Sequence, residues 1–190
     1  MNGAKILDFG CGWGRIIRLM YYYSDVDRIY GVDPWDRSLE ICTEDGVLGN
    51  LALSDYLPTS LPHGNEVFDL IYAFSVFTHL SERATKTALA ALRQRISADG
   101  LLVITIRPVE YWALAKSWDP SLPSESLTKT HEAAGFAFQP HNRSAVDGDI
   151  TYGDTSMTFD WLRNCEGWNM LRYDRSLDDQ VQMVVYLQPI

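Results

Sequence analysis

The chain has 190 residues, 46% of them apolar and 12% aromatic, enough for one globular domain with a substantial buried core and too much for a disordered chain. Its formal net charge of −9, with 25 acidic against 16 basic side chains and no basic cluster, argues against a nucleic-acid partner. No apolar run approaches the roughly 18 residues needed to span a bilayer, and Met1 to Lys5 lacks the cationic and apolar stretches of a secretory signal, so a cytoplasmic chain with no membrane partner is expected.

Ala4 to Phe9 is the first predicted strand, and it carries Asp8 near its end. Glycines then alternate at Gly10, Gly12 and Gly14, with Cys11 and Trp13 between them. Such a density permits positive φ and leaves no Cβ between the backbone and whatever lies against the turn. Arg15 to Tyr23 is predicted as an amphipathic helix whose first free N–H groups face the same spot. Arg28 to Val32 is the second strand, ending at Asp33. Ser38 to Thr43 reads as a short helix broken by Gly46 and Gly49, and Leu51 to Ser54 as a weak third strand whose end is marked by Asp55. Leu57 to Asn65 holds two prolines and a glycine and is a surface connection.

Phe68 to Phe74 is apolar on both faces, as a central parallel strand covered on each side must be. Ser81 to Arg95 is the clearest helix, with Ser81 as its cap and Ala84, Ala88, Ala91 and Leu92 at helical spacing. Asp99-Gly100 closes the connection to a fifth strand, Leu101 to Ile106, which Pro108 ends. Five strands with helices between them give the order of an open, doubly wound sheet. Farther on, Val109 to Ser117 and Leu127 to Ala134 read as helices, the second stopped by Gly135, with a loop from Trp118 to Ser124 between them. A loop holding His141, Asp147 and Gly148 leads to an extended run, Ile150 to Thr158, and a short helix, Phe159 to Asn164. Trp168 to Tyr173 and Val181 to Leu187 alternate as a closing antiparallel pair. One sheet and one domain, residues 1–190, are expected.

Taken together, these residues resemble the class I S-adenosylmethionine-dependent methyltransferases over about the first 106 residues. Ile6-Leu-Asp-Phe-Gly-Cys-Gly-Trp-Gly14 is similar to that family's first motif, and Gly31-Val-Asp33-Pro34 to its second. Leu53-Ser-Asp55, with Leu61-Pro62 and Phe68-Asp69, resembles the third-strand acid and the lead-in to strand four. Phe74-Ser-Val-Phe-Thr-His-Leu80 resembles the segment that lines the pocket floor. The resemblance implies an α/β fold with a mostly parallel, seven-stranded Rossmann-like sheet and an antiparallel closing strand. It also implies S-adenosyl-L-methionine as cofactor, transfer of its methyl group to oxygen, nitrogen or carbon, and a small-molecule acceptor met by residues 107–190. Neither the acceptor nor the oligomeric state is encoded in these motifs.

Site assignments follow from the resemblance and from nucleoside chemistry together. A carboxylate at the tip of strand two can accept from both ribose hydroxyls, which points to Asp33. Pro34 and Trp35 are placed against the adenine face, and Asp55, flanked by Ser54 and Tyr56, against its exocyclic amine. Gly10, Cys11, Gly12 and Gly14 form the loop for the aminoacyl end, Asp8 holds either the loop or the ammonium group, and Phe74 and Ser75 offer backbone beside the sulfonium. Arg15 stands where a dinucleotide fold needs a small residue, which counts against a nicotinamide or flavin cofactor. His79 is a candidate general base, the alternative being a histidine bonded to backbone at a helix start. Cys11, Cys42 and Cys165 are too scattered for a disulfide framework, and His63, His131 and His141 lack metal-ligand spacing. Members of this family usually carry a helix before strand one. Its lack here raises a second expectation, a catalytically silent binding module or a piece of a larger protein.

Overall fold

The chain's structure is a computed structural model that describes residues 3–190, so Met1 and Asn2, where the segment read for a targeting signal starts, lie outside the described residues. In chain order its elements are β1 (Ile6–Phe9), β2 (Ile29–Asp33), α1 (Asp36–Glu44), β3 (Asn50–Leu53), β4 (Phe68–Ala73), α2 (Glu82–Arg93) and β5 (Ile96–Ile106). There follow α3 (Tyr111–Trp118), α4 (Ser124–Ala134), β6 (Phe136–Pro140), β7 (Gly153–Met157), α5 (Phe159–Arg163), β8 (Trp168–Arg175) and β9 (Met183–Pro189).

Seven strands form one sheet in the order β3-β2-β1-β4-β5-β9-β8. The first five run parallel, and β9 is antiparallel to both β5 and β8. This is the expected doubly wound sheet with its antiparallel closing strand. Every residue of β1 is buried, because β2 and β4 flank it and helices cover both faces. Strand order reverses between β1 and β4, so the crevice beyond the carboxyl ends of those two strands is where a ligand of such a sheet lies. Leu7, Ile71, Leu102 and Ile104 from the sheet and Ala88, Leu89 and Leu92 from α2 share one core. Ser81 caps α2 by accepting from the Ala84 N–H at 3.3 Å, as its position predicts.

Three expectations need correction. Arg15 to Tyr23 is not an α-helix: Ile17–Tyr22 is a 3₁₀ helix, closed by i to i+3 bonds such as Leu19 N to Ile16 O. Only Ile17 of that helix is buried, whereas Leu19 and Tyr22 are exposed, so no apolar stripe stabilises an α-helical turn. Second, the chain does not keep to one sheet. β6 and β7 pair antiparallel, Phe136↔Met157 to Pro140↔Gly153, as a separate two-stranded sheet. β6 escaped detection because it is five residues long, follows the αL cap at Gly135 directly and ends on a proline. Third, the Asp99-Gly100 pair is not a turn but part of β5. Phe68 faces Ile96 while Leu70 faces Leu101, and the irregular register absorbs the residues between.

A smaller core ties the second half together. Tyr111, Trp112 and Ala115 of α3 pack with Leu127 of α4 and Ala137 of β6. Inside it the fully buried Trp112 donates from Nε1 to Ser156 Oγ at 2.7 Å, which leaves the Ser156 hydroxyl hydrogen for His131 Nδ1 at 2.8 Å. Burial lowers the His131 pKa and keeps that ring neutral and able to accept. Ser156→Ala strands both groups in the core and is expected to lower the unfolding free energy by about 1–3 kcal/mol. Urea unfolding at constant slope measures this, and an unchanged midpoint would show that the triad contributes nothing.

Candidate functional site

The glycine loop is stapled to the end of β2 by its own amides. Gly10 N and Cys11 N both donate to Val32 O, at 2.8 and 3.0 Å. Gly12 N donates to Asp33 Oδ2 at 2.8 Å, and Trp35 N donates to Asp33 Oδ1 at 2.9 Å. One carboxylate therefore holds both the loop after β1 and the turn after β2. Gly10 has φ 78°, and a Cβ there would sit 2.4 Å from Val76 Cγ2, so the position requires glycine. At Gly12 an added Cβ would meet nothing within 4 Å, which leaves bare backbone facing open space.

That space is a cavity of about 560 Å³ over the carboxyl ends of β1, β2 and β4. The loop supplies Gly10, Gly12 and Trp13, the turn after β2 supplies Asp33, Pro34 and Trp35, and the turn after β4 supplies Phe74, Ser75 and Val76. Tyr56 and, from the far half of the chain, Arg143, Thr151 and Tyr152 complete it. A side pocket of about 110 Å³ opens beside Gly12 and is lined by Asp8, Cys11, Arg15 and Phe74. The sequence-predicted residues Asp8, Gly10, Cys11, Gly12, Asp33, Pro34, Trp35, Tyr56, Phe74 and Ser75 are thus brought together. Gly14, Ser54 and Asp55 are not: Gly14 packs toward Val47 and Cys42, Ser54 N bonds to Asp33 O, and Asp55 is exposed past the end of the edge strand β3. Trp13 lines the cavity without having been expected there, and its place between two motif glycines is the signal that marks it. Arg143, Thr151 and Tyr152 carry no local signal, since only the tertiary fold places them over the sheet.

Two acids lie buried at this end of the sheet. Asp8 is 3% exposed, and its Oδ2 has no hydrogen-bond partner. Burial raises its pKa to about 7, helped by the Asp33 charge and opposed by the nearby Tyr72 hydroxyl, which itself completes no bond of good geometry. Burial also raises the Asp33 pKa, against the pull of the Trp35 and Gly12 amides. The Cys11 thiol is pushed up strongly by burial and then by Asp8 and Asp33, so it is a packing residue and not a nucleophile. Ser75, beside them, adopts φ 57° without being glycine, a conformation held by Thr105 Oγ1, which accepts from Ser75 N at 2.7 Å, and by Gln182 Nε2, which donates to Ser75 Oγ at 3.0 Å.

His79 stands behind this cavity and does not line it. Its Nδ1 lies 2.8 Å from Gly153 O and therefore carries the proton, as the backbone-bonding alternative requires. Burial and then Arg107 lower its pKa, so the ring is neutral. It stacks on Tyr152, with centroids 5.1 Å apart and planes 9° apart. Among the described residues no group of three or more His, Cys, Asp or Glu could hold a metal ion.

Residues 6–100, half of the chain, match a family model described as a methyltransferase domain. The chain belongs to that family. Among curated proteins, the cyclopropane-fatty-acyl-phospholipid synthase of Escherichia coli (strain K12) is 26% identical over 104 residues, 54% of this chain and 26% of that protein. A probable cobalt-precorrin-6B C(15)-methyltransferase (decarboxylating) of Saccharolobus solfataricus is 32% identical over 77 residues, 37% of this chain and 39% of its own length. The chain spans only about a quarter to two fifths of these relatives. Among solved structures, a TehB-like SAM-dependent methyltransferase from Corynebacterium glutamicum superposes with TM-score 0.62 at 22% identity, covering 100% of this chain and 82% of that one. A SAM-dependent methyltransferase from Methanosarcina mazei gives TM-score 0.70 at 14% identity, covering 100% and 94%. At those identities the likeness establishes the fold.

Gly10→Ala puts a side chain on a left-handed backbone and into Val76, and is expected to cost about 2–4 kcal/mol of stability. Adding Val76→Ala should recover the steric part and leave about 1–2 kcal/mol from the backbone, read as positive coupling in a denaturation cycle. A Gly10→Ala variant as stable as the parent chain would refute the account of the loop.

Proposed function

We propose that the chain is an S-adenosylmethionine-dependent methyltransferase acting on a small-molecule acceptor in the cytoplasm. The observation that carries this reading is the buried, unpartnered Asp8 Oδ2 in the side pocket beside the bare backbone of Gly12, whose other side borders the larger cavity lined by the Asp33 carboxylate. The residues fit the cofactor group by group. Asp33 accepts one N–H at each oxygen, which leaves lone pairs on both for two ribose hydroxyls. Trp35, half exposed, and Pro34 and Tyr56 flank the cavity where an adenine would be covered. Asp8 supplies the missing partner for an ammonium group, and Phe74 and Ser75 border the region of the sulfonium. Family membership and the lack of a helix long and apolar enough to cross a membrane, among the described residues, are consistent with this reading.

When bound, S-adenosylmethionine supplies an electrophilic methyl group, so the chain's own task is to align the acceptor and keep water out. Gly12, Asp33 and Asp8 fix one partner, and Tyr152 and Thr151 wall the opposite side. His79, with Nδ1–H given to Gly153 and its ring under Tyr152, acts as a positioning residue for that wall.

Titration calorimetry with S-adenosylmethionine and with its demethylated product, S-adenosylhomocysteine, tests the reading, and no binding of either would end it. Asp33→Asn should weaken both by about tenfold to a hundredfold, the size of a lost pair of charge-assisted hydrogen bonds. Asp8 predicts a pH dependence. Its pKa of about 7 means that the carboxyl is protonated below that value and must lose the proton to receive an ammonium group. Affinity should therefore rise with pH, by up to about tenfold per unit below pH 7, and fall again once the ligand's own ammonium group loses its proton above roughly pH 8. Asp8→Asn should abolish the rise, and a profile unchanged by that substitution would remove Asp8 from the site.

A further inference from the structure

The cavity over the glycine loop does not end at Thr151 and Tyr152. Those two residues, with Tyr56 and Arg143, also line a second chamber of about 400 Å³. Ala145 and Val146 give this chamber apolar walls, and no carboxylate lines it. Asp33 is the one carboxylate lining the first cavity, at the end already assigned. The shared wall makes the second chamber the approach to the first.

Arg143 is the cation of that shared wall. Acidic side chains outnumber basic ones 25 to 16, and Arg18, Arg37, Arg83, Arg107, Arg163, Arg172 and Arg175 each meet a carboxylate. Arg143, like Arg15, Arg28, Arg93 and Arg95, has no ion pair among the described residues; unlike those four it stands on the wall shared by the two cavities, and its guanidinium lies over the Tyr152 ring at 4.1 Å. Tyr152 is itself a fixed platform. It stacks on His79, its carbonyl accepts from His141 N at 3.1 Å, and it forms an antiparallel bridge with Leu80 just ahead of α2. A planar guanidinium resting on a rigid ring, with its N–H donors free and an apolar chamber below, is built to take an oxyanion in fork geometry.

We propose that Arg143 binds the oxyanion, carboxylate or phosphate, of a methyl acceptor whose apolar body occupies the chamber formed by Tyr56, Val146 and Tyr152. The acceptor's role rests on the methyltransferase reading, but the anion site does not. Two sources of oxyanion are separable: the acceptor, and the α-carboxylate of the cofactor itself.

The test uses three probes with one body, hexanoate, hexyl phosphate and hexanol, titrated calorimetrically into the chain saturated with S-adenosylhomocysteine. At least one anion should bind about tenfold or more tightly than hexanol, and the tighter anion names the oxyanion. Arg143→Gln should erase the preference while leaving the melting temperature unchanged. Equal binding of the three, binding of none, or a preference that survives in Arg143→Gln overturns the proposal. So does an Arg143→Gln variant that loses affinity for S-adenosylhomocysteine but not for 5′-methylthioadenosine, since that assigns Arg143 to the cofactor's carboxylate. If the chain does not bind S-adenosylhomocysteine at all, the methyltransferase reading fails, and the same three probes titrated alone still decide the anion site.

Discussion

The Asp33 carboxylate is the joint on which this end of the molecule depends. Its two oxygens accept from Gly12 and from Trp35, the second bond fixing the carboxylate within its own turn, so the loop after β1 and the turn after β2 cannot move apart without breaking the charge-assisted bond from Gly12. Val32 O, one residue earlier, receives Gly10 and Cys11 as well. The amides of Gly10, Cys11, Gly12 and Gly14 are therefore consumed in holding the loop's shape. What the loop presents outward is its bare face at Gly12. Shape, not a row of free donors, is the loop's contribution.

Placing two carboxylates in so small a buried space is unfavourable, and the surrounding structure bears it. Asp8 lies on β1, every residue of which is buried, so its side chain cannot turn to water. The cost shows as a carboxyl that favours its protonated form near neutrality. Ser75, in a left-handed conformation, is a second unfavourable feature, and it persists because Thr105 on β5 and Gln182 just ahead of β9 hold it from two directions. The antiparallel strand at the far end of the chain thereby contributes to the site as well as closing the sheet.

How much of this the sequence discloses follows from the range of each interaction. β1, β2, β4 and α2 are legible because their burial pattern is local: apolar runs, glycines at fixed spacing, a serine cap. Asp33 is legible because its role depends on lying at a strand tip. Asp55 has the same local form, yet it lies past an edge strand with no neighbour on its outer side and does not line the cavity. The stretch Ile17–Tyr22 misleads because an amphipathic pattern implies a helix only when a partner face buries the stripe, and here one residue is covered. β6 and the residues Arg143, Thr151 and Tyr152 are illegible for a different reason. A five-residue strand pairing across a loop of about a dozen residues leaves no period to detect, and a cavity wall assembled from it has no motif.

That second wall is organised by charge where the first is organised by backbone. Arg107, directly after β5, donates to Asp154 on β7 at 2.5 Å and to Thr78 O at 3.2 Å, while Met157 N bonds back to Arg107 O at 3.1 Å. Burial pushes the Asp154 pKa up, but bonds from His141, Tyr111 and Arg107 outweigh it and hold the carboxyl below its ordinary range. A half-buried pair of this kind adds little net stability over an apolar substitute, so its structural effect is register: it fixes β7 against the ends of β4 and β5 at one position. Tyr152 lies two residues before that fixed point, whereas Arg143 to Ala145 lie in the exposed part of the same hairpin. The wall is therefore pinned beside Tyr152 and exposed at Arg143. A scaffold of this form can keep the cofactor half constant while acceptor choice changes through a few residues of one loop.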